Sequence, residues 1–164
     1  MAVEAETRIS DLGVDKRLAD LGLSLPEVAT PAGAYIPALR TGNVVQTSGQ
    51  LPLVDGALPA TGRLGAEVSL EQGYELARQC ILGALAAVKS VTGSLDDIAQ
   101  VVKVTGFVSS AVDFYDQPKV VNGASELLGE LFGEAGRHSR SAVGVAALPL
   151  NAPVEIELQV LLRG

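Results

Sequence analysis

The C-terminal segment constrains the fold of this chain more than any other part of the sequence. From residue 154 to residue 162, aliphatic and mostly polar side chains alternate. The aliphatic set is Val154, Ile156, Leu158, Val160 and Leu162, and the polar set is Glu155, Glu157 and Gln159. A period of two predicts a β-strand with one face in a core and one polar face. The chain must therefore build a sheet that is covered on one side.

Two segments predict helices that can cover that sheet. One begins after Ser69, a good N-cap, and ends at Gly93, and the other begins near Pro118 and ends at Gly133. Their apolar stripes recur at helical spacing. The stripes are Tyr74, Ala77, Ile81, Ala84, Leu85 and Val88 in the first helix, and Val121, Ala124, Leu127, Leu128 and Leu131 in the second. Two helices cover only one face of one sheet, so we predict an α+β fold, with part of the free face covered by another subunit.

The remaining segments complete this plan. Residues 35–39 and 44–51 flank a Thr41-Gly42-Asn43 turn and predict a hairpin, and residues 101–108 predict a further strand. Residues 1–30 are interpreted as an N-terminal extension with a short helix, which Asp15 caps and Gly22 ends. Residues 31–164 are interpreted as the domain itself.

Composition limits the classes of function. The chain has 164 residues, the size of one domain, and a formal net charge of −7, which opposes binding to nucleic acid or to an anionic membrane. Because Cys80 and His138 are the single residues of their types, we expect no internal disulfide and no metal site. The N-terminal residues contain no apolar stretch of signal-peptide length, so we expect a cytoplasmic protein.

Five segments together resemble the YjgF/RidA family. They are Tyr35-Ile36-Pro37-Ala38, Thr47-Ser48-Gly49-Gln50-Leu51-Pro52, Gly93-Ser94-Leu95-Asp96-Asp97, Val121-Asn122-Gly123-Ala124 and the block of residues 140–157. Their order and spacing match that family over about residues 30–164. The resemblance implies a chorismate-mutase-like fold, a homotrimer with ligand sites in clefts between subunits, and hydrolysis of enamine or imine intermediates to 2-oxo acids and ammonia. The added N-terminal residues resemble a longer branch of the family.

The resemblance also implies roles for individual residues. The carboxylate-binding arginine of the family falls on Arg140 and its water-activating glutamate on Glu155. Tyr35, Ser48 and Asn122 match further residues of the site.

The chain departs from the family at two nearby positions. Ala142 stands where deaminating members often have Cys, and its backbone N–H can still contact a carboxylate. Gly144 stands where an acidic residue is common, and we expect it to leave a roomier pocket.

The chemistry of these residue types fits such a reaction. A guanidinium binds a carboxylate through two parallel hydrogen bonds, which would orient an imino acid. If Glu155 is partly desolvated, its pKa rises toward neutrality, and it can take a proton from the attacking water. We expect no cofactor.

The spacing of Arg140 and Glu155 leads to a prediction about assembly. If residues 148–153 turn a hairpin, Glu155 pairs with about Ala146, and Arg140 lies on the order of 20 Å away at about 3.3 Å per residue. One chain then cannot bring both groups to one small ligand. We therefore expect Arg140 of one subunit to meet Glu155 of a neighbour.

Other functions and other residues stay open. The same cleft could bind a small carboxylate as a regulatory protein without turnover, which is the main alternative. Endoribonuclease activity is disfavoured by the acidic charge and the single histidine. His138 is interpreted as a loop residue that shapes the strand entry, Cys80 as a buried inert thiol, and Lys103 as a residue lining the interface or cleft.

Overall fold

The alternating C-terminal segment forms the central strand of a five-stranded sheet in the computed structural model, which describes residues 13–164. The strands are β1 (Ala38–Thr41), β2 (Val44–Thr47), β3 (Ile98–Ser109), β4 (Ser139–Val145) and β5 (Val154–Leu162), and the helices are α1 (Val14–Asp20), α2 (Leu70–Thr92) and α3 (Gln117–Phe132). The order across the sheet is β1-β2-β5-β3-β4. β3 and β4 are parallel and the other neighbours antiparallel, so the one sheet is mixed and the predicted α+β fold is confirmed.

The core lies between one face of the sheet and the two long helices. The five aliphatic residues of β5 are at most 4% exposed, whereas Glu157 on the opposite face is exposed. α2 begins with a capping box in which Ser69 and Gln72 bond each other's backbone N–H groups, and it ends at Gly93 with a φ of 84°. α3 has Pro118 in its first turn. Both predicted helices are confirmed.

α2 and α3 approach each other at a glycine. A Cβ atom added to Gly123 of α3 would lie 2.1 Å from the backbone oxygen of Tyr74 in α2. Likewise, a Cβ atom at Gly106 of β3 would lie 2.5 Å from Val121. These two glycines let α3 lie close to both α2 and the sheet, and this places the residues that follow Val121 beside β4.

The expected hairpin between the last two strands is wrong. β4 pairs with β3, with Arg140 opposite Val104, and β5 lies on the other side of β3, with Glu155 opposite Phe107. β4 and β5 are therefore separated by one strand. The reason is that α3 connects β3 to β4, and a helical crossover of this kind joins parallel neighbours.

α1 packs against the rest of the described chain. Val14 and Leu18 are buried, and Arg17 donates a hydrogen bond to the Leu131 carbonyl at the end of α3. The predicted helix is present, but Asp15 does not cap it: the Val14 N–H donates to the Asp96 carboxylate at 2.8 Å. The first twelve residues of the expected extension lie outside the described residues, and the boundary at residue 30 stays a prediction.

Candidate active site

Arg140 lies on β4 at the edge of the sheet, and its side chain lies on the α3 side. Its Nη1 donates to Asn122 Oδ1 at 2.8 Å and to Ser125 Oγ at 3.2 Å, and its Nη2 donates to the Pro118 carbonyl at 3.3 Å. These three partners follow one another along one face of α3, at the i, i+4 and i+7 positions. The helix therefore fixes the guanidinium at three points.

The partners of Arg140 are all neutral. Within the described residues it forms no ion pair with a carboxylate, although it is only partly exposed. It lines a depression of about 380 Å³ between α3 and the start of β4. A positioned guanidinium without an internal counter-ion is suited to bind an anion from solution.

A short hydrogen-bond chain supports this arrangement. His138 Nδ1 lies 2.6 Å from the Gly136 carbonyl, which can only accept, so Nδ1 carries the proton. His138 Nε2 then accepts from the Ser125 hydroxyl at 2.9 Å, and Ser125 Oγ in turn accepts from Arg140. His138 shapes the entry to β4, as expected. Ser125 was missed by the sequence analysis, although it lies one helical turn after Asn122.

Glu155 lies on the other face of the sheet, beside the loop that follows β2. A Cβ atom at Gly49 would lie 2.0 Å from Glu155 Oε1, so only glycine allows this approach. Partial burial raises the pKa of the Glu155 carboxyl, and repulsion from Glu157 raises it further. The pKa of this carboxyl is thus closer to pH 7 than that of an ordinary glutamate.

Tyr35 and Ser48 lie on the same open face as Glu155. Both line a groove of about 540 Å³, together with Lys103 and Glu157. The Ser48 hydroxyl donates to the Ile36 carbonyl at 2.6 Å and thereby holds the chain before β1. Lys103 Nζ donates to Ser141 Oγ at 3.1 Å.

The six sequence-derived site residues therefore form two groups in one chain. Arg140 and Asn122 are joined by a hydrogen bond on the helix side, and Ala142 packs nearby against the core. The second group comprises Tyr35, Ser48 and Glu155 on the open face. Arg140 and Glu155 are two strands apart and offset by three residues along the strands, which puts their Cα atoms about 14 Å apart. This distance is less than the roughly 20 Å expected from a hairpin. Their side chains lie on opposite faces of the sheet.

Two other expectations concern the surroundings of the site. Gly144 does not leave an empty space, because a Cβ atom there would lie 2.7 Å from Gln117 Nε2. Cys80 is fully buried, and desolvation raises the pKa of its thiol well above the ordinary value, as expected of an inert cysteine.

Among residues 13–164, no group of three His, Cys, Asp or Glu side chains could hold a metal ion, and no helix combines the length and hydropathy of a membrane span.

Comparison with known proteins agrees with this architecture. A family model described as "YjgF/chorismate mutase-like, putative endoribonuclease" matches residues 15–161. The chain belongs to the YjgF/RidA family. Members of this family therefore provide the reference for its fold.

Several YjgF/RidA relatives match most of the chain. Protein TCP17 of Trypanosoma cruzi is 40% identical over 164 residues and covers 99% of both chains. The 2-iminobutanoate/2-iminopropanoate deaminase of Escherichia coli K12 is 35% identical, over 76% of this chain and 84% of its own. The crystal structure of a "putative endoribonuclease" from Shewanella oneidensis MR-1 superposes with a TM-score of 0.90 at 38% identity, over 92% of this chain and all of that one.

Proposed function

We propose that the protein hydrolyses reactive enamine or imine intermediates to 2-oxo acids and ammonia, at a cleft between subunits. The observation that carries the proposal is the environment of Arg140, a guanidinium held by neutral oxygen atoms beside a depression. Such a group binds the carboxylate of an imino acid in one orientation. Relatives named as 2-iminobutanoate/2-iminopropanoate deaminases support this choice of substrate class.

Glu155 is the proposed general base. Its raised pKa brings it closer to the operating pH, where a base combines a useful ionised fraction with sufficient strength. It takes a proton from water as the water attacks the imine carbon, and it passes that proton to the imine nitrogen to give a carbinolamine. Transfer of the carbinolamine hydroxyl proton to the amino group through Glu155 then releases ammonia and leaves the 2-oxo acid.

Assembly is part of the proposal, because Arg140 and Glu155 lie on opposite faces of the sheet in one chain. A neighbouring subunit must therefore supply one of the two groups, and a homotrimer provides three equivalent clefts. The face of the sheet that no helix covers supports this view. It exposes Leu39, Val143 and Leu161 by 39–47%, and burial of these side chains would favour association.

The direct test is an assay in which an amino-acid oxidase generates a 2-imino acid and its decay is followed. Arg140→Ala should lower kcat/KM by about 10²-fold or more, since charge-assisted hydrogen bonds to the substrate are lost. Glu155→Gln should lower kcat by about 10²- to 10⁴-fold. Arg40→Ala, which changes an exposed arginine of β1, is the matched control and should retain full activity.

Two outcomes would contradict the proposal. Binding of 2-oxo acids without any acceleration of imine decay would favour the regulatory, carboxylate-binding alternative. In addition, Arg140→Ala and Glu155→Gln chains that are refolded together should regain part of the activity, because hybrid assemblies contain some intact sites. A lack of recovery in verified hybrids would refute sharing of the site between subunits.

A further inference from the structure

A cavity of about 660 Å³ lies between the N-terminal segment and α2. It shares no lining residue with the Arg140 depression or the Tyr35 groove. One wall is residues 24–30, the second is part of the loop of residues 50–56, and the third is Gly83 of α2. Its size is that of a site for a small organic molecule.

A buried amide faces this cavity. Gln50 is 7% exposed, and its Nε2 donates to the Ser48 carbonyl at 3.2 Å. Because that carbonyl can only accept, the amide orientation is fixed and Oε1 is turned toward α2. Oε1 lies 3.5 Å from the position of a Cβ atom on Gly83, and no donor among residues 13–164 bonds to it. Oε1 is not sealed from solvent, so it is a free acceptor that a donor group of a ligand in the cavity can reach.

Gly83 keeps the cavity open. It lies in the interior of α2, where glycine is less stable than alanine. Its φ does not require glycine, and an added Cβ atom would make only ordinary contacts with Gln50. Neither backbone conformation nor close packing therefore explains the glycine, whereas a larger side chain would fill the space in front of Gln50 Oε1.

The lining also indicates the charge of a ligand. Both charged residues among the lining, Glu27 and Asp55, are acidic, and no Lys or Arg of the described chain lines the cavity. The apolar part of the wall includes Leu25, Leu51 and Leu53. An anion would be repelled, while a cationic donor with an apolar body would fit.

We propose that this cavity binds a small amphiphilic amine, whose ammonium group donates to Gln50 Oε1 and whose apolar body packs against the three leucines. This site prefers the opposite charge to the Arg140 site, and it does not depend on the function proposed there. The ligand expected in this cavity is therefore a compound that carries an ammonium group, rather than a carboxylic acid.

The test uses 2-phenylethylammonium, 2-phenylethanol and 3-phenylpropionate, which share a phenyl body and differ in the charge of the end group. Binding to the full chain is read from the NMR shifts of the Gly83 and Gln50 backbone amides, because the carboxylate can also bind at Arg140. The ammonium probe should bind here at least tenfold more tightly than the carboxylate, with the alcohol between them. Equal binding of the charged probes, or no shift with the ammonium probe up to millimolar concentrations, would overturn the proposal.

Variants test the geometry of the same site. Gly83→Leu should abolish binding of 2-phenylethylammonium, whereas Gly83→Ala, the matched control, should keep most of it. Gln50→Met removes the acceptor and should weaken binding at least fivefold. If Gly83→Leu does not fold, the comparison of the three probes and the Gln50→Met variant still test whether the cavity binds the amine. Unchanged affinity in a folded Gln50→Met variant would refute the role of Oε1.

Discussion

Replacing Gly123 by alanine tests the close contact between α2 and α3. The new Cβ atom would lie 2.1 Å from the Tyr74 backbone oxygen and 2.9 Å from its carbonyl carbon. An ordinary contact to the oxygen is longer by more than 1 Å, and both atoms belong to a helix backbone that cannot rotate away. The helices must therefore move apart by about 1 Å, which also shifts the neighbouring Asn122 relative to Arg140.

The magnitude follows from two opposing effects. Alanine stabilises a helix interior by about 1 kcal/mol relative to glycine, while overpacking of a close contact destabilises by about 1–3 kcal/mol, occasionally more. Gly129 in the same helix is the matched control, because a Cβ atom there meets nothing within 4 Å. We expect Gly129→Ala to be about 1 kcal/mol more stable than the wild type, and Gly123→Ala to range from equally stable to about 2 kcal/mol less stable.

Urea and thermal unfolding, followed by circular dichroism at one fixed protein concentration, measure this difference. The two variants should differ by about 1–3 kcal/mol, or roughly 2–12 °C in Tm for a chain of this size. The concentration must be equal, because association contributes to apparent stability. A Gly123→Ala protein as stable as Gly129→Ala would show that the two helices are not in this close contact.

Two further predictions concern Asp96 and Glu155. Asp96→Ala removes the acceptor for the Val14 N–H and should destabilise α1 by about 1 kcal/mol, which hydrogen exchange would show as faster exchange in α1. The control Asp97→Ala should leave exchange in α1 unchanged. Equal effects of the two variants would contradict a specific cap by Asp96. For Glu155, a raised pKa means that the folded state binds more protons than the unfolded state between the two pKa values, so stability falls as pH rises through that range. Glu155→Gln should therefore be more stable than the wild type at pH 7, and this advantage should shrink at a pH below the ordinary glutamate pKa. Urea titrations of both proteins at pH 7 and at that lower pH would measure the change. An advantage that grows in acid would contradict the raised pKa.

The parts of the fold that follow from local pattern were predictable. The alternation in β5 and the stripes of α2 and α3 depend on which side chains face the core, and each pattern lies within one segment. The Ser69 cap and the Gly93 stop of α2 are likewise local signals. These elements were therefore correct from the sequence alone.

The order of strands could not be read from the connection between β4 and β5. Pro149 and Asn151 are typical turn residues, and they suggest a hairpin, but turn residues do not show which strands become neighbours. The informative signal lay earlier, in the strand-helix-strand order of β3, α3 and β4, which favours a parallel pair. Consequently Arg140 and Glu155 flank β3, and the separation that was expected between them was too large.

Contacts between distant segments were also beyond the sequence. The Ser125 hydroxyl gains its role only when α3 lies beside the start of β4, and the amide of Gln50 faces a cavity that three separate segments enclose. Ser125 belongs to no pattern that marks it, and the motif of residues 47–52, which contains Gln50, does not indicate this cavity. By contrast, Arg140, Asn122 and Ser48 were identified because motifs of a known family contain them.

The attachment of α1 has a consequence for protein synthesis. A helix of seven residues is too short to persist alone in water, and its partners Lys89, Asp96 and Leu131 all come much later in the chain. Until those later segments have been translated, α1 therefore has no partner to pack against. α1 must wait until α3 has been synthesised as far as Leu131, so its docking follows completion of the two long helices.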